Sequence, residues 1–192
     1  MVEMDSALIV SSGERGLSVL SQILRQAGVE RLSTAPTAAL AKQMLVENEF
    51  DLCLINSPLS DETGERLALN IASRGNSEVI LCVRAEVFEE VSAHVEDAGV
   101  LTVSKPIQRA LLWNTLKVAI SAHRRVQRFQ AENTRLIHRI EDLRMVDRAK
   151  CLLISYLGMS EAEAHRYLEK QAMDTRRSKR EVAEQILKNY EG

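Results

Sequence analysis

Between Ile107 and Leu157 the chain contains neither proline nor glycine. These are the residues that most readily end a helix, one by lacking an N–H and the other by its backbone freedom. Apolar residues recur at helical spacing throughout the stretch, so it predicts one helix from about 109 to 156, well beyond the usual globular length. Placing Ala119, Val126, Asn133 and Ile140 at heptad position a puts Ala122, Phe129, Leu136 and Leu143 at d, and the positions between are mostly Arg, Gln and Glu. This is the pattern of a coiled coil, with Val126, Phe129, Asn133, Leu136, Ile140 and Leu143 as the dimerisation positions. Asn133 at an a position costs stability but favours two parallel strands in one register. The expectation is a homodimer; the alternative is a long amphipathic helix docked on its own domain.

Upstream, two patterns alternate. Short strand-like runs at 7–10, 31–34, 52–55, 79–83 and 101–104, mostly apolar, read as strands. Helical patterns at Glu14–Ala27, Thr37–Asn48, Gly64–Ser73 and Glu86–Ala98 separate them. Alternation of this kind gives an α/β domain with a parallel sheet covered on both faces. Five strands in about a hundred residues fit the flavodoxin-like order, whose ligand crevice lies at the carboxyl ends of the strands.

Downstream, "SEAE" at 160–163 and "SKRE" at 178–181 are capping boxes that start two further helices. Gly158 suits the end of the long helix. The apolar faces are Ala149, Leu152, Leu153 and Tyr156; Ala164, Tyr167 and Leu168; and Val182, Ala183 and Ile186. Together they make a three-helix bundle.

Charge divides the chain in the same place. Residues 1–107 carry 8 Lys/Arg against 16 Asp/Glu, and residues 108–192 carry 17 against 11. An acidic half joined to a basic half points to two modules with different partners, the basic one being the candidate for nucleic acid. Cys53, Cys82 and Cys151 have no metal-ligand spacing, and Cys53 and Cys82 sit inside apolar runs, so inert thiols are expected. The four histidines are scattered, with no HExxH pair. No metal, cofactor or catalytic site is expected. "SSGERG" (11–16) follows a strand and opens a helix, but lacks the GK[ST] ending and the GxGxxG spacing of phosphate loops.

The segment "DLCLINSPLSDETG" (51–64), "ALIVSS" and Lys105-Pro106 carry a resemblance to response-regulator receivers over about residues 5–120. In that family an acidic pair binds magnesium, an aspartate ending the third strand accepts phosphate, a Thr/Ser ends the fourth strand and a lysine before proline ends the fifth. Here the acidic pair is Ser11 and Ser12, the acceptor is Asn56 and the Thr/Ser position is Val83, while Lys105 remains. An amide is no oxyanion nucleophile, and two serines do not replace two carboxylates around Mg²⁺. The resemblance therefore implies a pseudo-receiver with a degenerate pocket. Asp51 is expected to begin its strand away from the pocket and Asp61 to lie in the loop beyond it. Lys105 is expected to hold loop carbonyls, next to a cis Lys105–Pro106 bond.

The stretch "DRAKCLLISYLGMSEAEAHRYLEKQAMDTRRSKREVAEQIL" (147–187) resembles an ANTAR domain, the RNA-binding module of bacterial antitermination regulators, through Ala149-Lys150, Gly158, Ser160-Glu161, Ala164, Tyr167-Leu168, Gln171-Ala172-Met173, Thr175 and Ala183. The resemblance implies binding to paired stem-loops in a nascent leader transcript. Its contacts are expected at Lys150, Lys170, Gln171, Met173, Arg176, Arg177 and Lys179, with the amino end of the third helix offering N–H groups to a phosphate. Tyr167 is expected in the bundle core rather than as a base-stacking platform, while Ala172 and Met173 fit the core as readily as the contact surface.

The expected organisation is a pseudo-receiver domain over 1–108, a coiled-coil dimerisation helix over 109–147 and an ANTAR RNA-binding domain over 148–192. The expected function is a non-enzymatic antitermination regulator whose receiver is not phosphorylated and is controlled by a regulatory protein or small-molecule ligand. A DNA-binding transcription regulator and a phosphorylation-dependent regulator with a non-standard acceptor are the alternatives. No apolar run approaches the ~18 residues of a membrane span, and "MVEMDS" lacks a signal peptide's basic start, so a cytoplasmic location is expected.

Overall fold

The computed structural model describes residues 4–191, which form two compact units divided between Arg128 and Phe129. In the first, strands β1 (Ser6–Val10), β2 (Arg31–Ala35), β3 (Leu52–Asn56), β4 (Glu78–Arg84) and β5 (Leu101–Lys105) make one parallel sheet in the order β2-β1-β3-β4-β5. This is the flavodoxin-like order expected from the sequence. Between them run α1 (Glu14–Gln26), α2 (Ala38–Glu47), α3 (Glu65–Ala72) and α4 (Phe88–Val95), the last flanked by single 3₁₀ turns.

The three central strands, β1, β3 and β4, are buried on both faces because each side of the pleat meets a helical layer, while the edge strands β2 and β5 are only partly covered. Leu8, Val10, Cys53, Ile55, Leu81 and Val83 point toward α2, α3 and α4. Ala7, Ile9, Leu52, Leu54, Ile80 and Cys82 alternate with them and pack against α1 and the start of α5 (Arg109–Leu157). Leu112, Leu116 and Ala119 of α5 are fully or almost fully buried there. Ala119, a heptad a position in the sequence pattern, is thus part of the sheet's core.

The amino ends of the strands are polar and interlocked. Asp51, just before β3, accepts through Oδ2 from the Asp5 and Ser6 amides, both at 2.9 Å, and from Ser6 Oγ at 3.0 Å. His123 of α5, 4% exposed, brings Nε2 to 3.4 Å from Asp51 Oδ1. Glu78, opening β4, lies close enough for His123 to offset part of the burial that raises its carboxyl above the ordinary range. A carboxyl raised by folding contributes stability below its unfolded pKa and loses it as pH rises through the folded value. Glu78→Gln is therefore expected to raise the urea midpoint at pH 7, with the gain shrinking as pH falls into the carboxylate range.

In the second unit the last turns of α5 pack with α6 (Glu161–Thr175) and α7 (Lys179–Glu191). The core is Ala149, Leu153, Ala164, Leu168, Val182, Ala183 and Ile186. Gly158, at φ +66°, ends α5 in the left-handed region that glycine adopts without Cβ strain. Both capping boxes form. Ser160 Oγ accepts from the Glu163 amide at 3.3 Å while Glu163 Oε2 accepts from the Ser160 amide at 2.8 Å. Ser178 and Glu181 repeat the exchange at 3.2 and 2.7 Å.

Two expected core residues lie elsewhere. Tyr156 is 64% exposed and stacks on Tyr190, with centroids 5.4 Å apart, and Tyr167 is 37% exposed. Three short helices cover only a narrow strip of each other, and small Ala164 with Leu168 fills it on α6. Among the described residues no helix is long and apolar enough to cross a membrane.

Candidate functional sites at the strand ends and in the helical tail

At the carboxyl ends of the strands, Asn56 Nδ2 donates to Ser11 Oγ at 3.0 Å, and Ser11 Oγ donates to the Gly13 carbonyl at 3.2 Å. Ser12 Oγ reaches the Pro58 carbonyl at 3.4 Å. The first turn of α1 closes over this chain of bonds: a Cβ on Gly16 would come within 2.5 Å of Asn56 Nδ2. Only glycine lets the helix sit so near the amide. Val83 is buried and pairs in register with Ser104, and Arg84 with Lys105.

Lys105 Nζ donates to the Ser57 carbonyl, and both Lys105–Pro106 and Ser57–Pro58 are cis. Burial, aided by the neighbouring Arg84 cation, lowers the ammonium pKa below its ordinary value, against an opposing effect of Cys82. The lysine thus holds a loop carbonyl, as the sequence reading expected. Among the described residues no group of three or more His, Cys, Asp or Glu converges as a metal site.

Nearby carboxylates are committed elsewhere. Asp51 lies at the opposite end of β3, tied to β1 and His123. Asp61 accepts from the Ala38 and Ala39 amides, both at 2.9 Å, which holds its carboxyl below the usual range. It caps α2 across the loop, alongside Thr37. Burial pushes the Cys53 and Cys82 thiols up to about 12, so both stay protonated and unreactive near neutral pH.

In the tail, the expected contact residues fall into two groups. Lys150 Nζ lies 2.8 Å from Asp147 and 3.6 Å from Glu161, with its side chain 16% exposed. Lys179 Nζ lies 2.7 Å from Glu169. These two cations are neutralised locally, and so is Arg180, between Asp142 and Glu184. Lys170, Met173, Arg176 and Arg177 are exposed around the end of α6, with Gln171 half-buried beside them. No ion pair holds Lys170, Arg176 or Arg177 among the described residues.

Arg176 caps α6 at φ +53°, the left-handed region that disfavours a side chain bearing Cβ. The Arg177 amide donates to the Ala172 carbonyl at 3.0 Å, closing the turn. At the amino end of α7 the capping box takes the Glu181 amide through Ser178 Oγ and sets the Glu181 carboxylate against the Ser178 amide and hydroxyl.

The heptad positions of α5 from Val126 onward remain uncovered. Val126 is 40% exposed, Phe129 62%, Leu136 and Ile140 50% each, and Leu143 58%, with Asn133 also exposed. Sequence reasoning missed the buried His123 and its pairing with Asp51, which joins residues 72 positions apart. The one available signal was a histidine breaking the apolar spacing of α5.

Comparison with known proteins agrees with both halves. Residues 134–187 match the ANTAR domain family. Over 169 residues the chain is 27% identical to the transcriptional regulatory protein PdtaR of Mycobacterium tuberculosis, covering 88% of this chain and 82% of that protein. The sheet unit resembles the signal receiver domain of an HD domain-containing protein from Pseudomonas fluorescens, at 23% identity and a TM-score of 0.58 over 67% of this chain and 95% of that one. It also resembles a CheY-like receiver domain from Methanospirillum hungatei, at 22% identity and a TM-score of 0.55 over 64% of this chain and 98% of that one. At these identities the receiver structures establish a shared fold.

Proposed function

We propose that this chain, an ANTAR-family response regulator with a receiver fold in front, is a transcription antitermination regulator that binds paired stem-loops in nascent leader RNA. The supporting observation is the exposed group Lys170, Met173, Arg176 and Arg177 at the end of α6, inside the segment that matches the ANTAR family. Cations without local partners can neutralise phosphates, and the sequence-independent part of RNA affinity comes from that neutralisation. The name of the mycobacterial relative, a transcriptional regulatory protein, points to the same class of process. Holding the paired stem-loops would keep a terminator hairpin from forming, and polymerase would read through.

Phosphotransfer has no part in this reading. The acceptor position holds an amide already bonded to Ser11 and covered by Gly16. Control passes instead to a partner protein or small ligand acting on the residue 1–108 domain. Residues 109–147 join two copies through Val126, Phe129, Asn133, Leu136, Ile140 and Leu143, and residues 148–192 carry the RNA. Two small bundles on one dimer gain affinity from effective concentration that neither has alone.

The test is binding of the purified protein to RNA carrying two adjacent hairpins, over a series of salt concentrations, with single-hairpin RNA and duplex DNA as controls. Arg176→Ala with Arg177→Ala is expected to weaken two-hairpin binding by about 10-fold or more and to lower the salt slope by about one per phosphate contact removed. Preference for duplex DNA would favour the DNA-binding alternative. For the pocket, titration with beryllium fluoride and Mg²⁺ is expected to give no stoichiometric complex. A tight one-to-one complex would restore the phosphorylated reading.

A further inference from the structure

The outward Tyr167 has a setting of its own. Its helix neighbours Ala164 and Leu168 are buried in the bundle core, while the Tyr167 ring stays 37% exposed. Its hydroxyl has no hydrogen-bond partner among the described residues, whereas a tyrosine buried in a core usually finds one. The ring lines an open depression of about 490 Å³, bounded also by Leu157, Gly158, Met159, Arg166 and Lys170. Leu157 and Met159 supply apolar surface, Tyr167 supplies a flat face, and Arg166 and Lys170 stand one residue before and three after it on α6. Glu163 also borders the depression, but its carboxylate is drawn into the helix cap by the Ser160 amide and hydroxyl.

We propose that this depression is a seat for one unpaired nucleobase of an RNA loop, with the base stacked on Tyr167 and the flanking phosphates met by Arg166 and Lys170. The proposal rests on the RNA-binding reading above and adds to it where a loop base is held. Bases turned out of a loop stack on aromatic or guanidinium planes, and such stacking is tolerant of sequence because every base has a π face. Arg166 is suited to the rim: its Nε is fixed by the Ala162 carbonyl at 3.2 Å, which sets the guanidinium while leaving its terminal N–H groups for a phosphate. An acidic peptide could use the two cations, but it would have no use for the exposed ring and apolar floor between them.

The experiment uses the full-length protein and the two-hairpin RNA, with Tyr167→Ala and Tyr167→Phe as variants. Loop nucleotides are replaced one at a time by abasic residues. Tyr167→Ala is expected to weaken binding by about 10- to 100-fold, with an unchanged salt slope, and Tyr167→Phe to bind within about threefold of wild type. One abasic position should weaken wild type by a similar factor and leave Tyr167→Ala no weaker than before. The seat is overturned if Tyr167→Ala keeps its helical circular dichroism and binds like wild type, or if no abasic position weakens wild-type binding. The abasic series decides the matter even where the alanine variant does not fold. Failure of wild type to bind the intact RNA at any salt concentration would instead overturn the RNA reading itself.

Discussion

Asp51→Ala is expected to lower the stability of the first unit by about 2–4 kcal/mol, read as a drop in urea midpoint at constant m value. One carboxylate oxygen accepts from two backbone amides and a hydroxyl at the start of β1, and the other faces a buried histidine of α5. Alanine leaves all of these groups without an acceptor, in a place only partly open to water. The cost per stranded buried group is about 1–3 kcal/mol, and partial solvation of the β1 amides brings the total below a simple sum. Asp51→Asn keeps a carbonyl for β1 but not the charge opposite His123, so about half the loss is expected. In the cycle with His123→Ala, a coupling of about 1 kcal/mol or more is expected between the two side chains. A change below about 0.5 kcal/mol for Asp51→Ala would mean that the strand ends are held by packing alone.

The second large effect concerns assembly. Leu136→Lys with Ile140→Lys places two like charges on each helix of the proposed seam, facing their equivalents on a second copy. Both side chains are half exposed in the single chain, so the folding of each copy should change little. Sedimentation is expected to show a monomer where wild type is a dimer. Two-hairpin RNA affinity should fall by about 100-fold or more, toward the single-hairpin value, because the gain from linking two modules typically spans 10²–10⁴. A monomeric variant that binds two-hairpin RNA as tightly as wild type would sever affinity from dimerisation. An unchanged dimer would place the seam elsewhere.

Much of the fold was legible in the residues themselves. The three central strands announced themselves as short apolar runs, and the edge strands β2 and β5 by their place in the alternation with helices. The long helix followed from the lack of breakers between 107 and 157, and both capping boxes formed as the spacing implied. The bond between Asn56 and Ser11 was not legible, because it joins the ends of two strands that only the sheet brings side by side. What periodicity could not give was how wide a covered strip is. Tyr156 and Tyr167 fall on apolar faces by spacing, yet a bundle of three short helices buries Leu153, Ala164 and Leu168 and leaves the rings at its flanks. Nor could it give partnerships set by topology. Lys179 looks like a free cation in the sequence, and Glu169 claims it from the neighbouring helix, whereas the Asp147 partner of Lys150 sits at an i,i+3 spacing that the sequence did offer. The cap of Asp61 on α2 and the tie of Asp51 to His123 exist only because the sheet brings those segments together.

The opening turns of α5 also govern how such a protein can be shuffled. Leu112, Leu116 and Ala119 fill the layer beneath Ala7, Ile9, Leu54 and Ile80, although in chain order they belong to the helix that leads away from the sheet. A gene fusion joined at residue 108 would strip one donor of the lid over its sheet and hand the recipient three oily side chains in water. A sheet unit exchanged for another must therefore bring its own stretch of helix, through His123, and the splice falls inside one continuous helix. The transplantable piece is a sheet with a stalk already attached.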